Sequence, residues 1–124
     1  STSILAIVPL IEAGAIETDA IVIDSKSGMT GAGRAAKEEM LFSEVSEGMH
    51  AYGVGGHRHM AELDQEFSAA ASRPVVPSFT AHLIPMNRGI YATHYVKTSG
   101  STSAEQLHRV LADFYSGQPF VRVL

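Results

Sequence analysis

Residues 3 to 14 set Ile4, Ile7, Val8 and Ile11 at helical spacing, and Leu5 and Leu10 widen the apolar face until the pattern predicts a largely buried helix. Ser1, Thr2 or Ser3 can cap its start, and Gly14 can end it. Pro9 lies inside the pattern, where its missing N–H is expected to kink the segment. "AIVID", residues 20 to 24, reads as a short buried strand. From Ser25 to about Lys37 the chain is rich in Gly, Ser and Thr, which predicts a long loop lying over something functional. Residues 40 to 54 offer one or two strands.

The pattern sharpens at "HMAELDQEFSAAA". Met60, Leu63, Phe67 and Ala70 or Ala71 recur on one helical face, Glu62, Asp64 and Glu66 point elsewhere, and Arg73 and Pro74 end the run. Residues 75 to 84 then alternate, with Val75, Phe79, Ala81 and Leu83 on one side and Ser78, Thr80 and His82 on the other, as in a half-buried strand. After the turn-like "PMNRG", residues 90 to 97 alternate again, and two such strands in succession predict an antiparallel pair. A second amphipathic helix follows, capped by Ser103, with Leu107, Val110, Leu111 and Phe114 as its buried stripe. Gly117 stops it, and "PFVRVL" is expected to begin a further strand. This order predicts an α+β fold: a mixed, mostly antiparallel sheet with helices on one face.

Composition narrows the function classes. The 124 residues are 45% hydrophobic and 18% charged, suited to one modest core, so a single domain over residues 1–124 is expected. A formal charge of −4 and scattered basic residues supply no footprint for nucleic acid. No apolar run approaches the roughly 20 residues of a membrane helix, and nothing before Ile4 resembles a signal peptide, so a soluble cytoplasmic protein is expected. The absence of cysteine excludes disulfides, thiolate metal sites and thiol nucleophiles within these residues. The helix without a lead-in and the strand-like last residues give both ends a truncated look.

Candidate chemistry gathers in three places. "GAGRAA", Gly31 to Ala36, fits the spacing of a dinucleotide fingerprint, but it lacks the tight strand-to-helix turn and the later acidic residue, so no cofactor is expected on it. A substrate-covering loop in which Ser25, Lys26, Ser27 and Arg34 meet an anion fits better. His57 and His59 could form a metal pair on a strand, but zinc needs a third ligand that Glu62, His82 and His94 do not clearly supply, so no metal is expected. Behind Gly55 and Gly56, His57 to His59 instead read as the first turn of a helix. Unpaired N–H groups there favour a neutral imidazole and an anion, with Arg58 as a fork for carboxylate or phosphate. Asn87 and Arg88 occupy the turn between strands. His94 reads as a satisfied core histidine, and His50 and His108 as surface residues.

"VIDSKSGMTGAGR", "AYGVGGHRHMAELDQEF", "HLIPMNRGIYAT" and the opening "STSIL", in this order, resemble the C-terminal substrate and dimerisation domain of N-acetyl-gamma-glutamyl-phosphate reductases. That family is similar to aspartate-semialdehyde and glyceraldehyde-phosphate dehydrogenases, in which an NAD(P)-binding Rossmann domain joins an α+β domain. The resemblance implies NADPH-dependent reduction of N-acetylglutamyl 5-phosphate to the 5-semialdehyde in arginine biosynthesis. It implies a cysteine nucleophile just upstream of Ser1, a cofactor domain before it, and a homo-oligomer. His57 or His59 becomes the acid/base, and Ser25, Lys26, Arg34, Arg58, Glu62, Asn87 and Arg88 become substrate or supporting residues. NADP(H) would belong to the intact enzyme, and these residues alone would bind none and be inactive. An oligomerisation module, or half of an aspartate-semialdehyde dehydrogenase, are the alternatives.

Overall fold

The first helix forms as α1, Thr2–Glu12, and presses Ile7, Leu10 and Ile11 into the core. It runs through Pro9 rather than breaking there. A proline nitrogen cannot donate to the carbonyl four residues back, here that of Leu5. The Tyr115 hydroxyl supplies the missing donor, at 2.7 Å from the Leu5 oxygen. The expected disruption is thus offset by a residue more than a hundred positions away, and Pro9 itself is almost wholly buried.

The computed structural model describes residues 1–33, 35 and 38–124. Strand β1 is Val22–Ser27, followed by a 3-10 turn at Met29–Ala32, a second at Glu38–Met40 and one short helical turn, α2, Phe42–Val45. Strand β2, His50–Tyr52, leads through a glycine-rich reversal into helix α3, Met60–Ala71. Strands β3, Ser78–Leu83, and β4, Ile90–Tyr95, precede helix α4, Ala104–Phe114. Ser103 caps α4 as expected: its Oγ accepts from the Gln106 N–H, and Gln106 Oε1 accepts from the Ser103 N–H, a reciprocal box.

The four strands lie in the order β2-β3-β1-β4. β1 pairs parallel with β3 and antiparallel with β4, and β2 pairs antiparallel with β3. The sheet is therefore mixed and mostly antiparallel, but β3 and β4 are not the hairpin their succession suggests. β1 sits between them, because alternation identifies a strand without naming its neighbour. β1 also continues three residues past the apolar "AIVID". Ile23, Ser25 and Ser27 keep facing inward while Val22, Asp24 and Lys26 face outward, so alternation persists after hydrophobicity has stopped.

Ile7, Leu10, Ile11, Ile16, Ile21, Ile23, Leu63, Phe67 and Val75 make one core between the helices and this inner sheet face. Leu107, Val110 and Leu111 of α4 pack against it, whereas Phe114, expected in the same stripe, is half exposed because α4 covers the rim of α1 and not the sheet centre. Residues 119–124 form no strand. Val121 and Val123 turn partly inward, but Phe120 and Leu124 are fully exposed, and among the described residues no neighbouring strand offers a ladder.

The bridge between α4's end and α1 predicts a measurable coupling. Tyr115→Phe should cost about 1 kcal/mol in urea unfolding by orphaning the Leu5 carbonyl. In a Pro9→Ala background the restored N–H can take its place, so the same change should cost measurably less.

Candidate active site

The histidine pair is built by a reversal of the chain. Tyr52 ends β2, and Gly53 follows with φ +60°, a left-handed conformation that side chains disfavour. Its second constraint is space: a Cβ there would lie 2.9 Å from His57 Cδ2. The Gly56 N–H donates to the Gly53 carbonyl at 3.1 Å and closes the turn, which folds His57 back over the sheet. The His57 ring then meets Tyr52 at 5.4 Å between centroids, Phe79 of β3 edge-on at 5.1 Å and His59 at 5.0 Å.

His57 and Arg58 precede α3 rather than forming its first turn. The helix starts at Met60 with His59 as N-cap, because the backbone spends these residues on the reversal: the Met60 N–H donates to the His57 carbonyl at 3.0 Å. The His59 backbone N–H donates to His57 Nδ1 at 3.2 Å. Partial burial, reinforced by the charges of His59 and Arg58, holds His57 below the usual histidine range, so its ring is neutral near pH 7. Glu62 stands exposed in the first turn of α3, where a carboxylate complements the helix N-terminus.

The remaining candidates divide between two faces and two ends of the sheet. Ser25 is buried on the inner face, in one row with Tyr52, Ala81 and Ala92, and so on the side of His57. Lys26 points the other way, where its ammonium bonds the Asp24 carboxylate and holds it below the usual carboxylate range. His82 Nδ1 stands 3.1 Å from the other Asp24 oxygen. Lys26 thus joins an outward Asp24–Lys26–His82 cluster that periodicity did not single out.

Asn87 and Arg88 are exposed on the turn after β3, about 13 Å of strand beyond the level of Phe79. That turn and the loop after β1 are one unit. The N–H groups of Gly28, Met29 and Thr30 donate to the carbonyls of Gly89, Met86 and Asn87 at 2.9, 2.9 and 3.1 Å. A Cβ on Gly28 would lie 2.8 Å from the Arg88 nitrogen, so only glycine permits this approach. Arg34 lies outside the described residues.

The Gly31 to Ala36 motif runs partly outside the described residues; where it is described, β1 leads into the 3-10 turn Met29–Ala32. Among the described residues no three His, Asp or Glu side chains are grouped to hold a metal ion. Nor is any helix there long and apolar enough to cross a membrane.

His94 departs from expectation. It lies on the inner face opposite Ile23, half-buried, and its Nε2 has no hydrogen-bond partner among the described residues. Burial holds it below the usual 6.5. As pH falls through that value, the unfolded chain takes up a proton that folded His94 refuses, so this residue's contribution to stability is lost on the acid side. Urea unfolding between about pH 7.5 and about pH 5.5 should therefore lose more stability in the parent than in His94→Phe.

A family model described as "Semialdehyde dehydrogenase, dimerisation domain" matches residues 1–124. The N-acetyl-gamma-glutamyl-phosphate reductase of Afipia carboxidovorans is 65% identical over 97% of this chain and 34% of its own. Those of Rhodospirillum rubrum and Geobacter metallireducens are 52% and 50% identical over 97% and 98% of the chain, and 34% and 35% of their own. The chain thus spans about a third of the length of the curated relatives it matches. Aspartate semialdehyde dehydrogenase II from Vibrio cholerae superimposes with a TM-score of 0.65 at 15% identity, over 90% of this chain and 39% of that one, a likeness of fold. With its whole length matched, and with helices laid on one face of a mixed sheet, the chain belongs to the semialdehyde dehydrogenase dimerisation-domain family.

Proposed function

We propose that this chain is the substrate-binding and dimerisation part of an N-acetyl-gamma-glutamyl-phosphate reductase, a cytoplasmic enzyme that reduces N-acetylglutamyl 5-phosphate to the 5-semialdehyde in arginine biosynthesis. The observation that carries this reading is 65% identity, over nearly the whole chain, to a protein of that name. The clamped His57 beside His59 adds chemistry suited to it. A cysteine thiolate from outside these residues attacks the acyl phosphate, and phosphate leaves. The reduction then needs a hydride, which NADP(H) would supply from the rest of the intact enzyme.

The residues on hand have separable tasks. Negative charge develops on the carbonyl oxygen during attack, and an imidazole N–H in reach stabilises it. The departing phosphate needs a proton, and an imidazolium supplies one. Arg58 and Arg34 are suited to the phosphate as guanidinium forks, and buried Ser25 can position the acyl group from the sheet. Glu62 takes a supporting role at the edge of this region, whereas Lys26 on the opposite sheet face and Asn87 and Arg88 at the far end of the strands stand apart from it. On the intact enzyme, His57→Ala and His59→Ala should reduce turnover unequally, and at least one should lose about a hundredfold. If neither does, this assignment of the site fails.

The outer sheet face supports pairing between copies. Val22 of β1 and Tyr91 and Tyr95 of β4 are exposed on it, with no helix over them among the described residues. Two copies meeting there would cover these side chains and the Asp24–Lys26–His82 cluster together. Tyr91→Glu combined with Tyr95→Glu should shift the sedimentation coefficient toward the monomer, whereas the same pair of changes on an unused face would leave it unmoved.

A further inference from the structure

We propose that the two histidines divide their work: His57 is a fixed neutral hydrogen-bond donor through Nε2, and His59 is the group that gains and gives up the proton. This rests on the reductase reading above. The deciding contact is the His59 backbone N–H on His57 Nδ1 at 3.2 Å. A ring nitrogen that accepts a hydrogen bond carries no proton, so neutral His57 holds its one proton on Nε2. Such a ring donates from Nε2 and cannot accept there. To be protonated it must receive the proton at Nδ1, which would set two donors face to face and break the contact.

The surroundings hold His57 in this state. Tyr52 and Phe79 flank the ring, and Gly53 leaves no room for a Cβ beside Cδ2. Among the described residues, the titratable and charged groups around it are Tyr52 from β2 and Arg58 and His59 from its own turn, and β3 contributes the uncharged Phe79. Two of these carry or can acquire positive charge, which opposes a second cation. Neutral imidazole held by a backbone amide at a helix start is an established electrophile for a carbonyl oxygen. His59 is differently placed. It is exposed, makes no side-chain capping bond to α3, and its ring centroid stays 5.0 Å from that of His57.

The division fits the acylation step. The thiolate forms a C–S bond to the carbonyl carbon, and the C–O bond to phosphate breaks with its electron pair on the phosphate oxygen. That oxygen takes the proton of the His59 imidazolium, which solvent then restores. At His57 no bond is made or broken: its Nε2–H is shared with the carbonyl oxygen while the charge lasts.

Glutamine separates the roles, since its side-chain amide offers an N–H near the place of Nε2–H but does not titrate. On the intact enzyme, His57→Gln should lose no more than about tenfold in kcat/KM while His57→Ala loses about a hundredfold or more. His57→Gln should also keep the parent's pH limb. His59→Gln should lose about a hundredfold and flatten that limb. Nitrogen-15 spectra of the histidines, recorded without cofactor from about pH 8 to about pH 7, should report the Nε2–H tautomer for neutral His57. A His57→Gln variant as inactive as His57→Ala, with the pH limb gone, would overturn the division, as would an Nδ1–H tautomer. Near-parent turnover in both His57→Ala and His59→Ala would instead overturn the site reading on which it rests.

Discussion

Strand β1 is hydrogen-bonded along both edges, to β3 on one side and β4 on the other, and the rest of the molecule follows from that position. A strand fixed on both edges cannot slip, so its pleat assigns every residue to a face. Ile23 is fully buried beneath the helices, and the serines after it line the same side. Asp24 and Lys26 are driven outward. The two faces then acquire different chemistries from alternate residues of one hexapeptide, "VIDSKS". On the inner side β2 brings Tyr52 level with Ala81, and the reversal that follows returns His57 to Phe79 on the same face.

Helices α1, α3 and α4 were legible because each buries one stripe of a 3.6-residue period, whereas the single helical turn α2 falls where residues 40 to 54 suggest strand, too short to show a period. Leu63 and Phe67 on α3 meet Ile7, Leu10 and Ile11 on α1, as their spacing requires. Strand identity was legible too, since Phe79, Ala81 and Leu83 alternate with polar partners. Strand order was not. Pairing is decided by residues far apart in sequence, and nothing local in β3 or β4 announces that β1 will enter between them. Pro9 failed as a signal for a similar reason: the donor that satisfies the Leu5 carbonyl belongs to Tyr115, after the last helix.

At the site, the residue types were legible and their grouping only partly so. "GGHRH" marked the turn that sets His57 beside Tyr52 and Phe79, and glycine density marked the reversal. Tyr52 and Phe79 were missed as neighbours of the His57 ring because one lies in a three-residue strand and the other reads as core. Ser25 and Lys26 are neighbours in sequence and suit one anion together. A strand separates them, and only the extension of β1 past Asp24 reveals it.

The pairing of Lys26 with Asp24 bears on how a surface can meet its own image. In a two-fold assembly each patch faces an identical patch, so any net charge on it is opposed by the same sign. Here the carboxylate and the ammonium leave opposite ends of a two-residue step and cancel within one strand. The centre of the outer face is therefore polar yet close to electrically neutral, so this pair would add little local self-repulsion to a two-fold contact there. At contact the aromatic rim rather than this pair would set how firmly the two faces hold, while the formal charge of −4 on each copy would leave the long-range approach to be screened by salt.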